Sequence, residues 1–145
     1  MKNILVGVDF SDLSAPLVTL ATSVAQAHGA AIHLLHVADP DPDFVGYDTG
    51  PQATRDAVAE KHREHHRSLQ LLADELRAKN IAADALLVQG PTIEKIVGEA
   101  ERLGADLIML GAHNKGLVSR VLLGSVSEGV LHAARIPVLI LPVKD

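Results

Sequence analysis

Short apolar runs alternate with longer amphipathic stretches along the whole chain. Five of the runs are rich in leucine and β-branched residues, a composition typical of strands. The fourth run, residues 107–110, is apolar at every position, as expected for a strand that is covered on both faces. The predicted strands cover residues 4–8, 31–37, 83–88, 107–110 and 138–141.

The stretches between these runs carry apolar residues at helical spacing. Ser14 is expected to cap the first helix and Gly29 to close it. The other helices are predicted over residues 54–79, from Thr92 to Gly104, and over residues 125–134. Residues 39–54 lack a periodic pattern and are expected to form a functional or mobile loop, and residues 111–124 a second loop with a helical turn at 117–123.

Strands and helices therefore alternate from one end of the sequence to the other. Each helical crossover between parallel strands should be right-handed, which places helices on both faces of a parallel sheet. Neither a linker nor an internal repeat interrupts the pattern. We expect one α/β domain over residues 1–145, with a five-stranded parallel sheet.

Composition narrows the class of protein further. The 145 residues carry a formal net charge of −5, which argues against a general nucleic-acid binder. The sequence has no cysteine, so disulfides and thiolate chemistry are excluded. An acidic residue comes too early for a signal peptide, and no apolar run approaches the length of a membrane span. We expect a soluble, cytoplasmic protein that binds neither nucleic acid nor membrane.

Two strand ends carry residues that folding alone does not require. Ligands of open α/β sheets bind beyond the carboxyl ends of the strands, where the strand order reverses. In the order 3-2-1-4-5, that point lies between the first and fourth strands, which end at Asp9 and Gly111. Asp9 is a candidate ligand-binding acid. It can also cap the first helix, and the two roles are compatible.

The segment from Gly111 to Ser127 has features of a phosphate site. Ser125 and Glu128 have the spacing of a capping box, and Gly124 before them allows the backbone to approach a ligand. A helix N-terminus with nearby hydroxyls is suited to phosphate, although an ordinary capped helix has the same pattern. A P-loop is excluded because Leu117 stands where lysine is required, and no G-x-G-x-x-G follows the first strand.

These residues resemble the universal stress protein family. The segment Gly111-Ala-His-Asn114, followed by nine residues and Gly124-Ser125, is similar to its motif G-x2-G-x9-G-[S/T]. The resemblance covers essentially the whole chain and implies the 3-2-1-4-5 sheet. It is also carried by Val8-Asp9-Phe10-Ser11, Leu35-His36-Val37, Gln89-Gly90-Pro91 and Pro137-Val138-Leu139-Ile140.

The family includes members that bind ATP through this motif and members that lack the motif and do not. The resemblance implies that Asp9 contacts the nucleoside, that Val37 contacts adenine by its backbone and that Gly111 lies along the ribose. His113 is a candidate contact to ribose or phosphate, with a spacer role as the alternative. Asn114 departs from the motif, since glycine is expected there. The implied phosphate contacts are Gly124, Ser125, Val126 and Ser127, and a divalent ion such as Mg or Mn can accompany ATP.

Three functions are compatible with this sequence. The first is an ATP-binding regulatory protein of the stress response that acts as a homodimer through its last strand. The second is a slow ATP-hydrolysing enzyme, against which no nucleophile–base pair is visible, so no catalytic residue is predicted. The third is a nucleotide-free dimeric adaptor, favoured if Asn114 closes the site. His62 and His66 have a spacing that can hold a metal, but no third ligand is apparent and no metal site is predicted.

Overall fold

The computed structural model describes residues 1–38, 52–112 and 124–142. Within these ranges, five strands alternate with four helices. The strands are β1 (Asn3–Gly7), β2 (Ala31–Ala38), β3 (Ala83–Gln89), β4 (Leu107–Gly111) and β5 (Val138–Leu141). The helices are α1 (Ser14–His28), α2 (Gln52–Ala78), α3 (Thr92–Arg102) and α4 (Ser125–Ala133). The five predicted strands and four predicted helices are all present, with boundaries that differ by at most two residues.

The strands form one parallel sheet in the order β3-β2-β1-β4-β5, which confirms the predicted topology. Ile4 pairs with Ile32 of β2 on one side and with Leu107 of β4 on the other. The chain therefore moves outward from β1 in one direction, and then returns across the sheet to build the other half. The switch in direction falls between β1 and β4, at the place where ligands of such sheets bind.

Alternate residues of the central strands pack into two separate hydrophobic cores, one on each face of the sheet. On one face, Ile4 and Val6 of β1 pack with α1 and α2 residues such as Leu17 and Leu69. On the other face, Leu5 packs with residues of α3 and α4. Both neighbours of β1 are strands and both of its faces are covered, which explains why its sequence is a continuous apolar run.

Two predicted helix caps are wrong. Helix α1 is capped by Leu13 without a side-chain hydrogen bond, and Ser14 is already its first helical residue. Helix α4 is preceded by Gly124, again without a side-chain cap, so Ser125 lies one position too late to close a capping box with Glu128. The Glu128 carboxylate instead lies 3.9 Å from His132, one helical turn later. The cap at the other end of α1 is confirmed, because Gly29 adopts a left-handed φ of 66° there.

Helices α3 and α4 pack against each other with almost no space between them. A Cβ added to Gly129 of α4 would lie 2.2 Å from Cδ1 of Ile93 and 2.9 Å from its Cγ1. Glycine costs about 1 kcal/mol relative to alanine inside a helix. Here its lack of a side chain is what allows the two helices to approach.

In the part of the chain that the structure describes, no helix is long and apolar enough to cross a bilayer.

Candidate functional site

A cavity of about 170 Å³ opens at the carboxyl ends of β1, β2 and β4. It lies on the side of the sheet that α3 and α4 cover, and the first turns of both helices border it. Its position is the topological switch point of the sheet, where the strand ends diverge and leave a crevice. The cavity is therefore the candidate binding site that the fold itself creates.

The structure brings most of the predicted site residues to this one cavity. Seven of the nine line it: Asp9, Val37, Gly111, Gly124, Ser125, Val126 and Ser127. The other two, His113 and Asn114, lie outside the described residues, as does the predicted helical turn at 117–123. Residues that are up to 118 positions apart in sequence thus border the same space, although their contacts with a ligand stay predictions.

Asp9 projects from the turn between β1 and α1. Its Oδ1 accepts a hydrogen bond from the Ser11 backbone N–H at 3.0 Å and from the Ser11 hydroxyl at 2.6 Å. The Ser14 hydroxyl donates to the same oxygen at 3.1 Å. These bonds show that Asp9 organises the start of α1 while it borders the cavity, so both roles considered for it are compatible with its position.

The phosphate side of the predicted site is the first turn of α4. The N–H groups of a first helical turn have no intrahelical acceptor and point out of the helix end, which favours an anion there. Ser125 is exposed, whereas Ser127 is only 2% exposed. The Ser127 hydroxyl donates to the Gly111 carbonyl at 3.2 Å. Ser127 therefore ties α4 to the end of β4, and its hydroxyl is already engaged in the protein.

The floor of the cavity was not predicted from the sequence. It is apolar, with Leu35, Ile96 and Leu110 each at most 4% exposed. Thr92, the first residue of α3, also borders the cavity. Strand alternation indicates which of these residues share a face, but the contribution of α3 depends on how that helix packs. A flat apolar ring fits such a floor, with polar contacts confined to the rim.

Behind Asp9, on the opposite side of the sheet, three rings form a cluster. We call Phe10, His36 and His65 the aromatic cluster. The Phe10 ring stacks on His65 with a centroid distance of 4.6 Å and an interplanar angle of 17°, and lies 4.9 Å from His36. His36 and His65 meet edge to face at 4.7 Å. Phe10 has a φ of 61°, a conformation that costs a non-glycine residue about 1–2 kcal/mol.

The two histidines of the aromatic cluster differ in their hydrogen bonds. His36 Nδ1 lies 2.7 Å from the Val8 carbonyl, and since a carbonyl only accepts, this nitrogen must carry the proton. His65 Nδ1 is buried and has no hydrogen-bond partner. Burial lowers the pKa of His65 below its ordinary value, and the neighbouring His36 lowers it further. His65 is therefore neutral at neutral pH.

The remaining helix histidines do not form a metal site in the described residues. His62 Nδ1 lies 3.0 Å from the Gln89 amide, and His66 Nε2 lies 3.4 Å from the Gln70 amide. No group of three or more metal-ligating side chains occurs within residues 1–38, 52–112 and 124–142.

Fold and cavity together define an α/β protein with a cavity at the switch point of a Rossmann-like parallel sheet. Comparison with known proteins specifies the family. The model of the universal stress protein family matches residues 1–142, and the chain belongs to that family. A Thermus aquaticus relative, named universal stress protein in QAH/OAS sulfhydrylase 3′ region, is 36% identical over 141 residues, which cover 96% of this chain and 97% of that protein.

Solved structures lead to the same family. A protein named MJ0577 superposes with a TM-score of 0.79 at 27% identity, with 99% of this chain and 97% of that chain covered. A universal stress protein solved in complex with cAMP has a TM-score of 0.65 at 26% identity, over 97% of this chain and 96% of that chain. The similarity therefore extends over the whole fold, and one of these relatives binds an adenine nucleotide.

Proposed function

We propose that this protein is an adenine-nucleotide-binding regulator of the stress response, that its nucleotide is ATP and that it acts as a homodimer. The observation that carries the proposal is the cavity, because Asp9, Gly111 and the first turn of α4 all border it. The similarity to a universal stress protein that binds cAMP supports the choice of an adenine nucleotide.

The residues of the cavity suit the parts of ATP in a definite orientation. Adenine would lie on the apolar floor beside the backbone of Val37, with Asp9 accepting hydrogen bonds from the nucleoside and Gly111 along the ribose. The phosphates would lie at the first turn of α4, from Gly124 to Ser127, where unsatisfied N–H groups favour an anion. His113 stays a candidate contact to ribose or phosphate.

A divalent ion such as Mg or Mn would depend on the nucleotide for most of its ligands. Phosphate oxygens are preferred ligands of Mg. The described residues offer no group of three or more metal-ligating side chains, and the ion is proposed to bind together with ATP. Its role would be to neutralise phosphate charge. No catalytic step is assigned, and slow ATP hydrolysis remains an alternative.

The first experiment is mass spectrometry of small molecules released from the freshly purified protein, followed by calorimetric titration with ATP. Released ATP and a measurable affinity support the regulator. Released ADP or AMP supports the hydrolytic alternative. If no nucleotide is released and ATP produces no heat, the nucleotide-free adaptor is the better description. The departure from the family motif at Asn114 is the observation that favours this adaptor.

Asp9→Ala tests the role of the acid directly. Its ATP affinity should fall by about 1.5–3 kcal/mol, the scale of a lost charge-assisted hydrogen bond. Asp12→Ala is the matched control, because Asp12 is exposed in the same turn but does not border the cavity. Since Asp9 also holds Ser11 and Ser14, titrations should be made well below the melting temperature of each variant. Equal affinities of the wild type and Asp9→Ala would refute the role.

The proposed dimer rests on β5. This strand pairs with β4 and forms an edge of the described sheet, and its side chains are half-buried. An apolar edge strand is a template for pairing, here with β5 of a second copy in antiparallel orientation. Leu139 packs on the α1/α2 core, so Ile140→Lys is a cleaner test than Leu139→Lys. Light scattering should show a dimer for the wild type and a shift toward monomer for Ile140→Lys. A monomeric wild type at micromolar concentration would exclude the dimer.

A further inference from the structure

We propose that the aromatic cluster is a proton-sensitive support for Asp9, which holds this acid in its binding position while His65 is neutral and weakens nucleotide binding when His65 is protonated. The inference rests on the proposed function for its effect on the nucleotide. Its structural part, the coupling between His65 and the turn that carries Asp9, stands on contacts of the protein alone.

The aromatic cluster acts on both chain neighbours of Asp9. On one side, the His36 Nδ1–H bonds the Val8 carbonyl. On the other side, the Phe10 ring packs against both His36 and His65. Asp9 itself contacts Ser11 and Ser14, so its carboxylate moves with the turn that these neighbours fix. The position of Asp9 at the cavity therefore depends on three rings, of which His36 also borders the cavity and Phe10 and His65 do not.

The support of Asp9 depends on Phe10 keeping an unfavourable backbone conformation. Its φ of 61° is unfavourable for a residue with a side chain, so the conformation persists only while the surroundings hold it. The His65 ring stacks nearly parallel to the Phe10 ring, and the His36 ring contacts Phe10 at a tilted angle. If the His65 ring leaves the stack, Phe10 loses its largest aromatic contact, and the turn can relax toward a less strained conformation.

His65 is placed where a proton would be costly. Its Nδ1 is buried without an acceptor, so a proton added there would have no hydrogen-bond partner until the ring moved. His36 faces it from β2, and Lys61 and His62 act on it from α2. All three disfavour the charge, while Glu64 alone favours it. From the turn that follows β1, the Phe10 ring stacks on the His65 ring and brings no charge to it.

The sign of the pH effect follows from this placement. The pKa of His65 is lower in the folded protein than its ordinary value of 6.5. The supporting contacts are therefore complete above pH 6.5 and are lost as the pH falls through the lowered pKa. Nucleotide affinity should decrease in mild acid, over the same pH range in which His65 titrates.

The test is the affinity for cAMP by calorimetry between about pH 7.5 and about pH 5, the range that brackets histidine titration. cAMP is the probe because its phosphodiester does not titrate there, unlike the terminal phosphate of ATP. We expect the wild-type affinity to fall about fivefold or more, the lower end of ordinary coupling between sites. His65→Phe keeps an aromatic ring but cannot titrate, so its affinity should change less than about twofold over this range.

His66→Phe is the matched control. His66 is the next residue of the same helix, is exposed and contacts Gln70 outside the aromatic cluster. This variant should keep the wild-type pH dependence. A flat wild-type profile would overturn the proposal, as would a His65→Phe profile that still falls like that of the wild type. Circular dichroism at each pH confirms that the proteins compared are folded.

A measurement without ligand separates the two proposals. The Ser11 amide donates to Asp9, so its NMR shift reports the turn in the nucleotide-free protein. In the wild type, this shift should change at the same pH as the His65 ring resonances, and the change should be missing from His65→Phe. If cAMP does not bind at pH 7.5 but Ser11 follows His65, the proposed ligand is wrong and the coupling is right. If Ser11 does not follow His65, the coupling itself is wrong, even if cAMP binds.

Discussion

The two sides of the sheet at the end of β2 are built from consecutive residues but differ in packing. His36 faces the α1/α2 side, where it is enclosed with Phe10 and His65. Leu35 and Val37 pack with the α3/α4 core and border the cavity. Strand alternation thus directs Leu35 and Val37 to one face and the His36 ring to the other, although His36 also borders the cavity. Substitutions at Phe10 and Val37 therefore address mainly one side each.

The largest expected effect is on the α1/α2 side of the sheet, where the aromatic cluster packs. Phe10→Ala removes a ring that packs against the α1/α2 core and both histidines. The free energy of unfolding should fall by about 3 kcal/mol, the low end for phenylalanine truncation because Phe10 is only half-buried. Urea denaturation monitored by circular dichroism measures this loss.

Val37→Ala makes the matched change on the α3/α4 side of the sheet, where the cavity lies. Val37 is half-buried and already borders empty space, so the loss of stability should be about 1 kcal/mol. Since its proposed contact with adenine is through the backbone, ATP affinity should change less than about threefold. Equal losses of stability in Phe10→Ala and Val37→Ala would show that the two sides do not differ as described.

Asn114→Gly tests the departure from the family motif, at a position that lies outside the described residues. If the family's glycine serves a left-handed backbone, asparagine is the residue that best replaces it, at a cost of at most about 1 kcal/mol. Its amide can also donate to a phosphate oxygen. We therefore expect Asn114→Gly to gain less than about tenfold in ATP affinity by calorimetry. A gain of about a hundredfold or more, from a wild type that barely binds, would favour the nucleotide-free adaptor.

The smallest effect concerns an acid at the other end of the sheet. Asp106 accepts hydrogen bonds from the backbone N–H groups of Lys2 at 2.6 Å and Asn3 at 3.0 Å, and these bonds lower its pKa below the ordinary 3.8. Its contribution to stability is therefore present above pH 3.8 and lost as the pH falls through the lowered pKa. Asp106→Asn should melt below the wild type at neutral pH.

This difference in melting temperature between Asp106→Asn and the wild type should shrink in acid. ATP affinity should stay unchanged in Asp106→Asn at neutral pH, in contrast to Asp9→Ala, because Asp106 does not border the cavity. A melting difference that stays constant down to the lowest pH at which both proteins are folded would contradict the assigned bonds.

The fold could be predicted from the sequence because the hydrophobic periodicity of each helix or strand depends only on its own residues. The apolar run at β4 and the helical spacing of α1 each predict their element without reference to the rest of the chain. Caps were less accessible, because they depend on the residue at which the chain enters the helix. Helix α1 begins at Ser14 itself, after its N-cap Leu13, and the Ser14 hydroxyl donates to Asp9, a contact that spacing alone does not reveal.

The candidate site was accessible where it coincides with strand ends and the glycine motif. Asp9 follows the end of β1 by two residues and Gly111 ends the neighbouring β4, so topology brings them to the same edge of the sheet. The contribution of Ile96 and Thr92 depends on how α3 packs over the sheet, and the aromatic cluster depends on where α2 crosses β2. His65 was visible in the sequence only as a polar interruption of an apolar helical stripe.

The close contact of Gly129 with Ile93 restricts how this sequence can evolve. Any side chain at position 129 would overlap the Ile93 side chain, and a β-branched residue has few alternative rotamers. A replacement of this glycine therefore requires the end of Ile93 to move, or a smaller residue at position 93. Substitutions at the two positions should therefore be coupled, and a smaller residue at position 93 should make Gly129→Ala less destabilising than it is in the wild type.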